Sequence, residues 1–302
     1  MSAIDAALTA FADEVGCDGP VTVAGGRTRW ELGGAVDPSA RVITVPSGVV
    51  DHQPDEMIVR VRAGTPVSEL AAELAAAGQR CALPERGGTV GGAIAVGENH
   101  VEVLGRGALR SSVLQVRYAS AEGRLVTGGG PTVKNVSGFD LPRLMTGALG
   151  TLGLLAEVIL RTDPIPAVSQ WFEVGDADPT AVRAALLRPS CILWDGRSVR
   201  VLLEGHAPDV AAQRSTLARL GAVSECDGPF ALPAHRWSLT PSEASSLDDH
   251  EGFIASIGVG TAWRHHPQPL RPVLASVRTI SERLKHNFDP TGRLNPGRCV
   301  WT

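Results

Sequence analysis

The stretch that decides the fold is residues 84–95, PERGGTVGGAIA, in which four glycines (Gly87, Gly88, Gly91 and Gly92) surround Thr89 and Val90. Glycine loses more backbone freedom on folding than any other residue. A run this dense therefore calls for close approach of main chain to something flat or anionic. Three further glycine-rich stretches fall in the same half of the chain: AGGRTR at 24–29, GGG at 128–130 and TGALGTLG at 146–153. A ligand-free tight turn is the simpler reading of any one of them. The first, the central run and the last each adjoin an expected strand, and together they read as walls of one nucleotide-cofactor site.

Working outward, residues 21–23 read as a short strand that runs into Gly25 and Gly26. Residues 41–45 and 57–63 alternate as strands should. Thr65 is expected to cap a helix through SELAAELAAAG, with Pro66 in its first turn and Gly78 at its end. Residues 3–15 have the spacing of a short amphipathic helix, with Ile4, Leu8, Phe11 and Val15 on one face. Residues 114–119 and 125–127 form a hairpin pattern, and 152–160 a buried strand. RTDPIP at 161–166 reads as a proline-rich break and a domain boundary. Beyond it, a strand at 171–174, a helix at 179–187, strands at 191–194 and 198–204, and a helix at 208–220 give the order of a small α+β domain. A strand at 253–259 and a final helix at 272–285 follow; residues 229–249 carry no clear pattern.

The chain has 302 residues, enough for about two domains and a sizeable core. Its 43% hydrophobic and 20% charged content is that of an ordinary globular protein, and a net charge of −4 gives no nucleic-acid footprint. Residues 1–16 lack an early basic cluster, so no signal peptide is expected, and no apolar run reaches membrane-spanning length. A cytoplasmic protein is expected, with at most peripheral membrane association through partners. Five cysteines (Cys17, Cys81, Cys191, Cys226 and Cys299) are odd in number and scattered, without a CxxC pair. Free thiols acting as small buried hydrophobes are expected, with no disulfide framework and no metal site.

A strand followed by Gly25, Gly26, Arg27, Thr28 and Arg29 can aim successive backbone N–H groups at a phosphate, with two arginines adding charge. The pattern is neither GxGxxG nor GxxxxGK[ST], so neither a dinucleotide fingerprint nor a Walker loop is indicated. Thr89 offers a hydroxyl beside main chain, and Gly147, Gly150, Thr151 and Gly153 repeat that arrangement before the buried strand. Residues 133–141 place Lys134, Asn135 and Asp140 near the third glycine stretch. A surface turn capped by Asn and Asp explains them equally well.

Five motifs occur in order: VTVAGGRTR, MIVRVRAGTPVSELAAELAAAGQ, GGTVGGAIA, KNVSGFDLPRLMTGALGTLGLLAEVIL and FDPTGRLNPGR. The succession resembles the FAD-binding oxidases of the vanillyl-alcohol oxidase/p-cresol methylhydroxylase (PCMH) type, and among them most the FAD-binding subunits of glycolate oxidase. The likeness covers residues 20–165, returns at 285–298 and is weak over 166–270.

The resemblance implies an α+β architecture. Residues 1–165 would be a PCMH-type FAD-binding domain of two subdomains with a boundary near residue 50. Residues 166–270 would be a small α+β cap, and 271–302 a segment returning to the FAD domain. Gly25, Gly26, Arg27, Thr28 and Arg29 would cradle the pyrophosphate. Pro84, Gly88, Thr89, Val90, Gly91 and Gly92 would run along the flavin and its ribityl chain. Gly150, Thr151, Gly153 and Val158 would lie near pyrophosphate and adenine, and Asn295 and Gly297 near the isoalloxazine. Relatives that bind flavin covalently often carry His where this chain has Arg27, so FAD without a covalent link is expected. Residues 96–106 lack the Gly/Ser-rich loop of many relatives.

The implied reaction is hydride transfer from a small 2-hydroxy acid such as glycolate to FAD. The implied assembly adds a catalytic flavoprotein and an iron–sulfur subunit. Arg264 and His265 are the candidates for carboxylate binding and proton abstraction. His265 and His266 are adjacent, however, and adjacent residues on a strand point apart, which makes a surface position the competing explanation. The metal and substrate motif of D-lactate dehydrogenase relatives is absent. The alternative is a flavin- or nucleotide-binding partner whose neighbour holds the substrate site. A reductase of the same fold using NADPH is less well matched.

Overall fold

The computed structural model describes residues 6–131, 139–247 and 252–301. The chain divides into two compact units. The first comprises residues 1–100, 108–164 and 270–302, the second 101–107 and 165–269.

The first unit is built on Leu154–Pro164, an eleven-residue strand whose positions 154–160 are all buried. Its apolar run needs cover on both faces and neighbours on both edges. Ile58–Arg62 pairs with one edge, placing Val59 opposite Leu160 and Val61 opposite Val158, and Val113–Ala119 pairs with the other. Val49–Gln53 and Leu125–Gly129 close the ends, and Gln79–Cys81 pairs with the last residues of the central strand, all antiparallel. The strand therefore continues through Pro164, where the sequence suggested a break from residue 161. Pro164 stands at the end of the ladder, where a missing N–H costs little.

Three helices prepare the site. Ala6–Val15 buries Leu8, Phe11, Ala12 and Val15; Ile4, expected on the same face, lies outside the described residues. Val67–Ala76 buries Val67, Leu70 and Leu74. Its cap corrects the sequence reading: Pro66, not Thr65, is the N-cap residue. Thr65 is buried and its hydroxyl serves the preceding turn, donating to the Arg62 carbonyl and accepting from Gly48 N–H. The third, Val90–Val96, begins inside the glycine run itself, with Thr89 Oγ1 accepting from Gly92 N–H at 3.2 Å.

A separate parallel pair, Val21–Val23 with Arg41–Ile43, carries the first glycine loop. Leu294 bridges to Val21 as a third, parallel element, so residues 289–299 complete this small layer. Arg293 fastens the return. Its guanidinium donates to the carbonyls of Val15, Gly16, Asp18, Gly19 and Ala121.

The second unit is a seven-stranded antiparallel sheet. Its order is Ala222–Cys226, Val168–Gly175, Ser198–Gly205, Cys191–Trp194, Phe253–Ser256, Thr261–Arg264, His235–Ser238. Residues 101–107 belong to it, although the sequence placed them in the first domain. Leu104 packs against its core, and Gly105 donates to the Ser190 carbonyl. The expected final helix is shifted to Ala275–Phe288. All five cysteines are free; Cys81 and Cys191 are buried, whereas Cys17 is exposed, against expectation. Among the described residues, no helix is long and apolar enough to cross a membrane. No cluster of three His, Cys, Asp or Glu able to hold a metal ion is found among them either.

Candidate functional site

The first and central glycine stretches pack directly on one another. A β-carbon on Gly25 would lie 2.5 Å from Thr89 Oγ1, and one on Gly26 would lie 2.8 Å from the α-carbon of Gly88. Arg29 Nη1 ties the two loops together, donating to Thr28 Oγ1 and to the Gly87 carbonyl at 2.9 Å each. Gly91, Gly150 and Gly153 likewise make room for protein: for Ala63, for the Asn295 side chain and for the Tyr118 ring. Much of the glycine signal is thus spent on bringing segments of the chain together. Gly92 is different; it is exposed and meets only Thr89 Oγ1.

What these contacts leave open is a cavity of about 320 Å³ in the first unit, lined by Gly25, Ala63, Thr89, Gly91, Gly92, Gly150, Gly153 and Asn295 among others. A smaller space of about 100 Å³ shares Gly25, Thr89, Gly92 and Asn295 with it and adds Gly26, Arg27, Arg29, Trp30, Leu149 and Arg298. The first is mainly main chain and apolar side chain; the second is cationic. Arg27 and Arg298 stand 5.1 and 5.0 Å from the Trp30 ring. Burial pulls the Arg298 guanidinium below its usual value, opposed by Glu31, and an arginine stays charged regardless.

Backbone strain gathers here. Among the described residues, five non-glycine residues have positive φ, and three of them, Arg27 (53°), Leu149 (52°) and Asn295 (46°), line the smaller space. Such conformations cost free energy and persist where the surroundings over-determine them. Asn295 shows how: its N–H donates to the Val21 carbonyl, its Nδ2 to the Leu149 carbonyl, and its Oδ1 accepts from the Thr22 hydroxyl.

The remaining sequence candidates are placed as follows. Thr28 contacts Arg29 and, like Gly88, sits at the junction of the two loops. Pro84 and Val90 are buried. Thr151 is buried, its hydroxyl donating to the Ala148 carbonyl and its own carbonyl accepting from Lys285 Nζ. Val158 is fully buried in the central strand between Val61 and Val116 and lines neither space. Gly297 lies on the returning segment beside Ala35. Asp140 caps the short helix Leu141–Met145; Lys134 and Asn135 lie outside the described residues. In the second unit, Arg264 stacks on Trp237 at 4.3 Å. His265 is exposed and lines a separate cavity of about 780 Å³ with Trp194, Arg197 and Phe253.

Sequence reasoning missed Glu98, Arg293, Trp30 and Arg298. Glu98 is buried and accepts from Arg29 Nε at 2.5 Å and from Arg86 Nη1 at 2.8 Å. Arg293 and Arg298 stand in the tail motif already singled out, and their regular place beside Gly292 and Gly297 was the available signal.

The site suits FAD on its own terms. Two loops with exposed glycine main chain adjoin three arginines. Arg29 Nη2 is buried with no hydrogen-bond partner, a donor that an anionic diphosphate would satisfy.

Comparison with known proteins agrees. The family described as "FAD binding domain" matches residues 6–129. Glycolate oxidase subunit GlcE of Escherichia coli (strain K12) is 28% identical over 322 aligned positions, covering 92% of each chain. Subunit GlcD of Bacillus subtilis (strain 168) is 30% identical over 149, covering 47% of this chain and 31% of its own length. In fold, an alkyldihydroxyacetonephosphate synthase superposes with a TM-score of 0.68 at 12% identity, covering 96% of this chain and 74% of its own. The BBE-like 1 protein of Physcomitrella patens gives 0.63 at 13%, covering 97% and 88%. The ordered glycine loops, the architecture of the first unit and these likenesses converge: the chain has the fold of the PCMH-type FAD-binding oxidases, residues 6–129 match an FAD-binding domain, and its cofactor is FAD.

Proposed function

We propose that this chain is the FAD-binding subunit of an oxidase assembly of the glycolate oxidase kind, acting on a small 2-hydroxy acid. The observation that carries the reading is the alignment with GlcE across 92% of both chains, second unit included. FAD, when bound, supplies the two-electron acceptor, and the protein supplies position and electrostatics. Gly25, Gly26, Arg27 and Arg29 would hold the diphosphate. Thr89, Gly91, Gly92 and Asn295 would line the remainder. Among the described residues lining the two spaces there is no His or Cys, which supports attachment without a covalent link.

The exposed side of Ala275–Phe288 supports association with partner subunits. Leu274, Val277 and Ile280 share one face of this helix and are 72%, 41% and 58% exposed. Farther along that face Phe288 packs against the first unit's core. An apolar stripe open for two turns is a protein-contact feature.

A second reading, that the chain carries flavin while a partner holds the substrate site, is favoured by one observation. Neither Arg264 nor His265 is among the residues lining the glycine-walled spaces. Anaerobic addition of glycolate or D-lactate to the purified flavoprotein separates the two. Bleaching of the flavin absorbance establishes an autonomous oxidoreductase; persistent colour, lost only when partner subunits are added, establishes the carrier role. Release of the flavin by acid checks the non-covalent attachment.

A further inference from the structure

The Arg29 guanidinium makes an unequal set of bonds. Nε donates to Glu98 Oε2 at 2.5 Å, and Nη1 donates to both glycine loops at 2.9 Å. Nη2 is buried and unpartnered, although the side chain is only 9% exposed and the residue lines the cationic space. A charged donor left unsatisfied in a buried place is costly, so a fold keeps one where a ligand completes it. Arg29 cannot swing to offer a different nitrogen while Glu98 holds Nε and the two loops hold Nη1.

Glu98 is itself nearly out of water, its side chain 8% exposed, and is shared between Arg29 and Arg86. Of its two bonds, the one to Arg29 is buried and offsets the cost of taking the carboxylate out of water, whereas Arg86 is 47% exposed and its bond is screened by solvent. Glutamine at this place would accept from one arginine and present amide hydrogens to the other, so one bond would be lost.

We propose that Arg29 Nη2 is a donor to the FAD diphosphate, and that Glu98 is the positioning residue that aims it. Glu98 touches no cofactor atom; it acts through the guanidinium it holds. The two glycine loops then meet the diphosphate as a single preset unit, and the cost of ordering Arg29 is met before the cofactor arrives.

The test is titration of the full-length apoprotein with FAD and, separately, with riboflavin, which has the ring and ribityl chain but no phosphate. Glu98→Gln and Arg29→Gln should each weaken FAD on the order of tenfold, the scale of one charge-assisted hydrogen bond. Both should leave riboflavin affinity unchanged. The double variant should bind FAD no more weakly than the worse single one, because the two residues act as one device. Arg86→Ala, whose side chain is 47% exposed, should stay within about twofold of the parent, since it leaves the Arg29–Glu98 contact in place. Equal losses for FAD and riboflavin in Glu98→Gln would show a general loosening and overturn the proposal. So would unchanged FAD affinity in either single variant, or additive losses in the double. Should Glu98→Gln not yield folded protein, the FAD-to-riboflavin ratio in Arg29→Gln still decides whether Nη2 serves the diphosphate.

Discussion

A β-carbon on Gly25 would stand 2.5 Å from the hydroxyl oxygen of Thr89 and 3.0 Å from its methyl carbon. The two residues belong to loops 64 positions apart in sequence, and a β-carbon on Gly88 would meet Thr28 Oγ1 across the same seam at the same 2.5 Å. Gly25→Ala should therefore force the loops apart, costing about 1–3 kcal/mol as overpacking does. Thermal unfolding should shift down and FAD affinity fall with it. Adding Thr89→Ala removes the atoms in the way, so the double variant should lose less than the sum of the singles.

Thr89 alone makes a milder case. Its hydroxyl caps Val90–Val96 through Gly92 N–H. Thr89→Ala should cost about 1 kcal/mol, and Thr89→Ser, which keeps the acceptor, a few tenths. Chemical denaturation measures both.

Asn295 unites a left-handed backbone with a side chain that spans Thr22 and Leu149. Asn295→Gly should keep the backbone and lose the bridge, whereas Asn295→Ala loses the bridge and adds strain. Alanine should be the more destabilising of the two by about 1 kcal/mol. Limited proteolysis near residue 290 should track that order.

Burial pushes the Cys191 thiol well above its ordinary value of 9.0, with Glu102 and Glu204 adding to the effect. The native state keeps this proton and the unfolded state releases it, so the group's contribution is complete below pH 9 and declines as pH rises beyond it. The unfolding free energy should accordingly fall above pH 9, and Cys191→Ala should flatten that slope whatever it does to absolute stability. Cys17, exposed, should react with a thiol reagent in the native protein while Cys191 waits for unfolding.

What could be read from the chain follows its periodicities. The strand that became Leu154–Pro164 and the helix Val67–Ala76 are written in local apolar spacing, and the glycine runs marked where backbone approaches closely. Local spacing could not tell what the glycines approach. Gly25 faces Thr89 and Gly150 faces Asn295, across separations that only the folded chain closes. Thr65 misled because a hydroxyl before proline looks like a cap until burial assigns it to a turn. Glu98 was invisible for the same kind of reason: its partners lie 12 and 69 positions away, and a lone acid carries no pattern. The excursion of residues 101–107 into the second unit is set by Leu104 and Gly105 meeting that unit's own residues, which no spacing rule encodes.

Arg293 reaches back across 278 positions to the carbonyl of Val15, and Asn295 to the strand that carries the first loop. A ribosome making this protein releases the opening glycine loop long before it makes the residues that lock that loop in shape. Cofactor loading must therefore wait until translation has passed residue 298. Nascent chains stalled earlier should emerge without flavin, and removal of the last fifteen residues should give a colourless product, even though nearly every residue that lines the cleft would still be present.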